Sequence, residues 1–471
     1  MHINFIRPKR FIALAALCLF TVQFALAQTP TLPSDKQITA KVDEYMDAAV
    51  KVERFSGSIL VARNGSPVVS RGYGMANYEQ SVPNTPQTMF LLASITKQFT
   101  AAAIMILQER GKLNTNDSVC KYLSDCPAMW QPVTIRHLLT QTSGIVSYTG
   151  LSEFRTNRSI GESRAKMLDL IKSKPLESVP GEKMKYGNSS YYLLGLIIER
   201  TSGKSYADFV QENIFTPLGM KRSGYDEVDR AVKKRAAGYR WQDDSFVDAR
   251  YVNYETPNAA GGLYSTTEDL LLWDKALYTK KLLSRKSRDE MFTPFRELTT
   301  GKDYAYGWWT IKRFNRQEIA HGGNIAGFIN YIARFPAERV TVIVLSNNQY
   351  GSSGRIANDL SAIVFGAPYK IPQERKAIAV ATSTLDKYVG QYQVQLPPFT
   401  FTITNENGKL MMQRDASPKF EMFAESETDF FSKAFDIQLT FVKDKNERVT
   451  GLLVHQGDSS LYELLTGQKI K

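Results

Sequence analysis

Apolar positions along the first hundred residues change period twice. Over residues 35–53 they fall at Ile38, Val42, Tyr45, Met46 and Ala49, a helical stripe, with Ser34 placed to cap it. Phe55–Arg63 and Val68–Gly72 then read as two strands, and Asn64-Gly65 between them is a tight hairpin signal. A second hairpin is predicted late in the chain, from Tyr331–Phe335 and Val340–Ser346, with Pro336-Ala337-Glu338-Arg339 as its loop. Between these strand-rich ends the helical period dominates, over 94–110, 134–141, 161–173, 189–201, 205–215 and 267–278. Strands at both ends of a helical middle predict an α+β fold, an antiparallel sheet flanked by helices with a helical insertion.

The pattern changes again after the second hairpin. Ala367–Thr384 has no strong periodicity and contains Pro368 and Pro372, so 367–384 reads as a linker. Residues 385–471 then show short alternating runs at Tyr388–Val394, Phe399–Thr404, Lys409–Gln413, Ile437–Val442, Thr450–His455 and Leu461–Leu464. Turns such as Glu406-Asn407-Gly408 separate them, which predicts a small all-β C-terminal barrel domain.

The other end of the chain reads as a leader. Arg7, Lys9 and Arg10 precede an apolar run from Phe11 to about Phe24, and Ala25-Leu26-Ala27 offers a small-x-small cleavage site. A membrane anchor is the alternative, but the run falls short of the roughly 20 residues that span a bilayer. Cys18 follows Leu17, where a lipoprotein signal has a small residue. The expectation is a signal peptide over 1–27, cleavage after Ala27, a catalytic domain over 28–366 and a periplasmic or secreted protein.

Charge and cysteine content narrow the function. Removing Arg7, Lys9 and Arg10 with the leader takes the formal charge of the 471-residue chain from +12 to +9. The densest cationic cluster, Lys233-Lys234-Arg235, is short and lacks interleaved aromatics. It reads as a solvated face, with no nucleic-acid partner expected. A basic surface does suit contact with anionic envelope polymers. Cys120 and Cys126 remain, and a close pair in an oxidising compartment is most often a disulfide. With no Cys-x-x-Cys or His-Glu-x-x-His, neither a metal nor another cofactor is expected.

Three short motifs carry the chemistry. In Ser94-Ile95-Thr96-Lys97, residues three apart share one helical face, which brings the hydroxyl and the amine within reach. A serine needs a neighbouring base to become a nucleophile. A lysine serves only if burial or nearby cations lower its pKa. Tyr186-Gly187-Asn188 follows Pro180-Gly181 in a loop, so the tyrosine can move protons and Asn188 can hold a substrate amide. His321-Gly322-Gly323-Asn324 precedes a strand, where two glycines permit close backbone approach. Singly, each has a plainer reading: a Ser cap with an exposed lysine, a turn with a packed tyrosine, a glycine-rich turn.

In this order the motifs resemble the serine β-lactamase and penicillin-recognising superfamily, in particular its class C-like branch. That branch includes β-lactamases, D-alanyl-D-alanine carboxypeptidases, D-stereospecific aminopeptidases and carboxylesterases. The stretches from Phe90 to Thr100, His137 to Ile145, Pro217-Leu218-Gly219-Met220 and Ala260 to Thr266 support the resemblance, which spans roughly 36–365. The tail from Leu385 to Tyr392 resembles a lipocalin-like C-terminal domain.

The resemblance implies an acyl-enzyme on Ser94, with Lys97 and Tyr186 sharing base and acid roles and His321 managing protons and charge. Asn188, Gly322, Gly323 and Asn324 would bind substrate, and the Ser94 and Asn324 N–H groups would form an oxyanion hole. Two positions depart from the pattern. Gln141 replaces a frequent histidine, and His321 replaces a lysine that would meet a substrate carboxylate. The expected function is an exported serine hydrolase acting on D-amino-acid peptides, amides or related esters. A β-lactamase and a catalytically weak penicillin-recognising binder are the alternatives. A Ser-His-Asp hydrolase is disfavoured, because no Gly-x-Ser-x-Gly elbow is present. The partner expected is a small-molecule or peptide substrate, with association through the C-terminal domain left open.

Overall fold

The computed structural model describes residues 32–156, 163–226, 235–242, 245–249, 258–294, 302–349, 351–395, 398–415, 417, 419–433, 437–456 and 464–470. The leader, its cleavage site, Lys233, Lys234 and the start of the last expected strand lie outside these residues.

Helix α1 (Asp35–Glu53) begins where its apolar stripe predicts. Ser34 and Gln37 form a reciprocal capping box. Strands β1 (Gly57–Arg63) and β2 (Ser66–Tyr73) follow, with Asn64 and Gly65 both at positive φ in the turn. The helical middle includes α2 (Thr96–Glu109) and α3 (Asn188–Ser202). The chain then returns to the sheet as β3 (Lys302–Tyr304), β4 (Trp309–Arg313), β5 (Arg316–Ile325), β6 (Phe328–Phe335) and β7 (Val340–Ser346). These form one antiparallel seven-stranded sheet in the order β3-β4-β5-β6-β7-β1-β2.

Both faces of this sheet are covered. On one, α1 and α4 (Ser353–Phe365) bury Ile38, Val42, Met46, Ile356, Leu360 and Ile363 against Ile59, Val61, Val342 and Val344. On the other lies the helical insertion, in whose core α2 is buried from Thr96 to Leu107. That explains why β6 and β7 are buried at every position rather than alternately.

The tail is a closed barrel of eight antiparallel strands, from Gly390–Gln395 round to Leu464–Lys469, whose first and last strands pair through Tyr392↔Lys469. Its interior holds Tyr392, Phe401, Ile403, Met412, Leu439, Phe441 and Leu452, so side chains fill it, as eight strands allow. Two expectations change here. Residues 382–388 lie within the expected linker and first strand, yet Thr382–Tyr388 is a helix. Leu385 and Tyr388, three apart, turn inward together, and Tyr388 stacks on Phe441 at 4.1 Å between ring centroids. The short strands Phe420–Ala424 and Asp429–Phe431, unpredicted from sequence, complete the ring.

Candidate active site

Ser94 lies in a single 3-10 turn, Ala93–Ile95, immediately before α2, and is half-exposed. Sequence places it at the opening of the helix, but the turn differs: Ala93 has φ 49°, a strained conformation for a non-glycine residue. Two bonds hold the turn from outside. The Leu92 N–H donates to the Leu263 carbonyl at 2.8 Å, and the Asn330 side chain donates to the Leu91 carbonyl at 2.7 Å.

One turn on, Lys97 is fully buried (0 % exposed). Its Nζ lies 2.9 Å from Ser94 Oγ, 2.9 Å from Asn188 Oδ1 and 2.9 Å from the Ala260 carbonyl oxygen. Burial lowers its pKa to about 7. The contacts serve either protonation state: an ammonium would give one N–H to each of the three oxygens. The carbonyl and the amide oxygen can only accept, and a neutral amine has two N–H groups to give them. In that neutral form, which the lowered pKa makes accessible near pH 7, its lone pair faces the Ser94 hydroxyl.

Tyr186 is brought to the same place from another element. Its ring lies over Lys97 with Nζ 5.1 Å from the centroid, stacks on Trp309 at 5.9 Å and meets Tyr304 edge-on at 5.8 Å. Burial raises the phenol's pKa, and a hydrogen bond with Ser94 opposes this only in part. Burial thus keeps the phenol protonated beside Lys97. Asn188 begins α3, and its N–H donates to Ser147 Oγ at 3.0 Å. Gly187 lies against the same residue, since a Cβ there would come within 3.0 Å of Ser147 Cβ.

The Gly-Gly motif lies on β5 where the sheet opens. Pairing with β4 ends at Trp309↔Ala320, whereas pairing with β6 runs on to Ile325↔Phe328. The edge thus freed at 321–325 faces the turn carrying Ser94. The approach is close enough to demand glycine: a Cβ on Gly323 would lie 2.1 Å from the Leu92 carbonyl oxygen. Asn324, the next residue, is exposed. This places its backbone on the same edge as the serine turn.

His321 is buried (2 % exposed), and its role narrows. Its Nδ1 lies 2.6 Å from the Gly322 carbonyl, which can only accept, so Nδ1 carries the proton. Nε2 is then the acceptor for the Tyr304 hydroxyl at 3.3 Å. Burial first, and the Lys97 charge second, lower its pKa to about 3. A neutral imidazole with its one N–H already given away is poorly placed to donate to a leaving group or to hold a carboxylate. Cys120 and Cys126 are bonded (S–S 2.01 Å) beside the surface turn Val119–Lys121.

Several contributors escape sequence reading. The Ala260 oxygen is a backbone group. Asn330 works from the next strand. Gly307, at φ 77°, lets the chain pass so close that a Cβ would lie 2.6 Å from the Lys97 carbonyl oxygen. The Tyr306-Gly307-Trp308-Trp309 stretch was the available signal.

Comparison with known proteins bears on the fold and the family. The family described as "Beta-lactamase" matches residues 38–364, and a "Domain of unknown function (DUF3471)" matches 374–469. Penicillin-binding protein 4* of Bacillus subtilis (strain 168) is 31 % identical over 430 residues, covering 86 % of this chain and 94 % of the relative. The octameric penicillin-binding protein homologue from Pyrococcus abyssi superposes with a TM-score of 0.64 at 25 % identity, over 92 % of this chain and 100 % of that one. A D-stereospecific amidohydrolase from a Streptomyces species shares the fold, with a TM-score of 0.59 at 22 % identity over 71 % of this chain and all of its own. A family match over most of the chain, together with a relative aligned over nearly all its length, shows that this protein belongs to the β-lactamase family.

Proposed function

We propose that this serine hydrolase of the β-lactamase fold is an exported enzyme that cleaves D-amino-acid peptides, amides or related esters through an acyl-enzyme on Ser94. The observation that carries the reading is the trio of contacts at Lys97, two to obligate acceptors and one to Ser94 Oγ. The Ser94 proton passes to the Lys97 lone pair as Oγ attacks the substrate carbonyl. The oxyanion forms between the N–H groups of Ser94 and Asn324. When the tetrahedral adduct collapses, the Tyr186 hydroxyl gives its proton to the departing amine or alcohol and recovers one from the Lys97 ammonium. Water then repeats the sequence on the acyl-enzyme, with Lys97 again taking the proton. The Asn188 amide holds the acyl side chain.

The neutral, internally bonded His321 supports the choice of substrate. A β-lactam carries a carboxylate next to its ring, and a charge-assisted hydrogen bond to it is worth about 1.5–3 kcal/mol. That is roughly one to two factors of ten in rate, which His321 does not supply. Penicillin recognition remains the second reading, favoured by the name of the Bacillus subtilis relative. One panel separates them: kcat/KM for D-amino-acid amides, D-Ala-D-Ala peptides, p-nitrophenyl esters and nitrocefin. The amides, peptides or esters are expected to exceed nitrocefin, and His321→Lys is expected to raise β-lactam acylation relative to ester hydrolysis. Nitrocefin as the best substrate of the unmodified enzyme would overturn the assignment in favour of a β-lactamase.

A further inference from the structure

We propose that Gln141 is a positioning residue that fixes the reach of Tyr186 to Ser94 by holding the peptide units on both sides of it. Its backbone carbonyl accepts from the Lys185 N–H at 2.9 Å, and its side-chain Oε1 accepts from the Gly187 N–H at 3.1 Å. One residue thus grips the chain immediately before and immediately after the tyrosine. Gln141 is itself held firmly. It is 2 % exposed, sits at φ 61° and follows the short helix Ile135–Leu139.

The grip continues along its neighbours. The Gly181 N–H donates to the Thr142 carbonyl at 2.7 Å, and the Glu177 N–H donates to the Gly144 carbonyl at 2.7 Å. The 177–187 segment is therefore laid along 141–144, and Gln141 ends the row at the tyrosine. Division of labour follows. Trp309 and Tyr304 fix the tilt of the Tyr186 ring, whereas only the backbone can set how far the phenol extends toward Ser94. A glutamine suits the second task because its carbonyl and its side-chain oxygen point to two amides with one residue between them.

The proposal rests on the reading of Tyr186 as the leaving-group acid, and its test keeps the two separable. Acylation by D-phenylalanine methyl ester, whose departing alkoxide must take up a proton, is followed by rapid-quench single turnover at pH 9 for the wild-type chain, Gln141→Met, Gln141→Glu, Tyr186→Phe and Gln141→Met/Tyr186→Phe. Thermal unfolding is recorded for each. Gln141→Met keeps the length and loses the acceptor. A misplacement of about an ångström costs on the order of 10²-fold, so acylation is expected to fall about ten- to a hundredfold with substrate binding unchanged. Gln141→Glu keeps an oxygen for the Gly187 N–H and is expected within about threefold of wild type. In the Tyr186→Phe background the loss from Gln141→Met is expected to shrink to less than about threefold, because both changes then act on one missing group.

Wild-type acylation by Gln141→Met, an equal loss in Gln141→Glu, or an undiminished loss in the Tyr186→Phe background would each overturn the positioning role while Tyr186→Phe alone stays slow. Wild-type acylation by Tyr186→Phe would instead overturn the acid role, and the positioning role with it. If Gln141→Met does not fold, Gln141→Ala, which loses the same acceptor without filling its space, takes its place in every comparison.

Discussion

Lys97→Met should make the protein inactive and, near neutrality, more stable. The lysine's pKa falls from 10.5 to about 7 on folding. At 1.36 kcal/mol for each pH unit, burying the protonated amine costs the folded state about 5 kcal/mol below pH 7. Methionine removes the cost and keeps the apolar stem buried. Against this, Ser94, Asn188 and Ala260 lose a partner, at about 1 kcal/mol each. The net expectation is a gain of about 2 kcal/mol at pH 6.5. The pH dependence is the sharper test. Between about pH 7 and 10.5 the unfolded lysine binds a proton that the folded one does not. Raising the pH withdraws that advantage of the unfolded state, so wild-type stability rises through this window. Lys97→Met lacks this rise, and its advantage over wild type should shrink by about 2 kcal/mol between pH 7 and 9. Urea unfolding at each pH measures both chains, and titrations elsewhere cancel in the difference. A difference flat to within about 0.5 kcal/mol would refute a neutral Lys97.

Other outcomes follow from the same geometry. Because Lys97 must be neutral to accept the Ser94 proton, kcat/KM for a neutral ester should rise with pH, level off above about 7, and show no further limb from His321 at working pH. Stopped-flow assays from pH 5 to 9 check this, and a rate independent of pH there would count against the base assignment. Gly323→Ala should fold but acylate at least a hundredfold more slowly, since its Cβ would meet the Leu92 carbonyl oxygen at 2.1 Å and push β5 away from the turn. Unchanged burst kinetics would show that this edge is not part of the site. Replacing Cys120 and Cys126 together by serine releases a loop with a separation of 6 residues and should cost roughly 2.4 kcal/mol by chain entropy, read from urea unfolding.

The parts legible in the sequence were those fixed by local rules. Ser34, Gln37 and five apolar positions define α1 without help from the rest of the chain. Asn64-Gly65 defines its hairpin, and a three-residue spacing brings Ser94 and Lys97 to 2.9 Å. What escaped depended on tertiary contacts. Helix α4 opens with Ser353-Gly354, weak helix formers, and is held by packing Ile356, Leu360 and Ile363 on the sheet. Thr382–Tyr388 is a helix because the barrel offers Leu385 and Tyr388 somewhere to turn. At the site, the motifs gave the residues but not their protonation. Burial keeps the Tyr186 phenol protonated, lowers the Lys97 pKa to about 7 and keeps His321 neutral, and burial depends on the whole fold. The grip of Gln141 on the Tyr186 loop joins residues more than forty positions apart, which no local pattern reveals.

The central claim is that Ser94 carries the acyl group, and intact-mass analysis of the trapped acyl-enzyme tests it most directly. The wild-type chain, mixed with an activated ester and quenched in acid during the burst, should gain one acyl mass that maps by fragmentation to Ser94. Ser94→Ala should stay folded, gain no such mass and lose nearly all turnover. An adduct on Ser94→Ala forming at the wild-type rate, or a wild-type adduct mapping to another residue, would contradict the account.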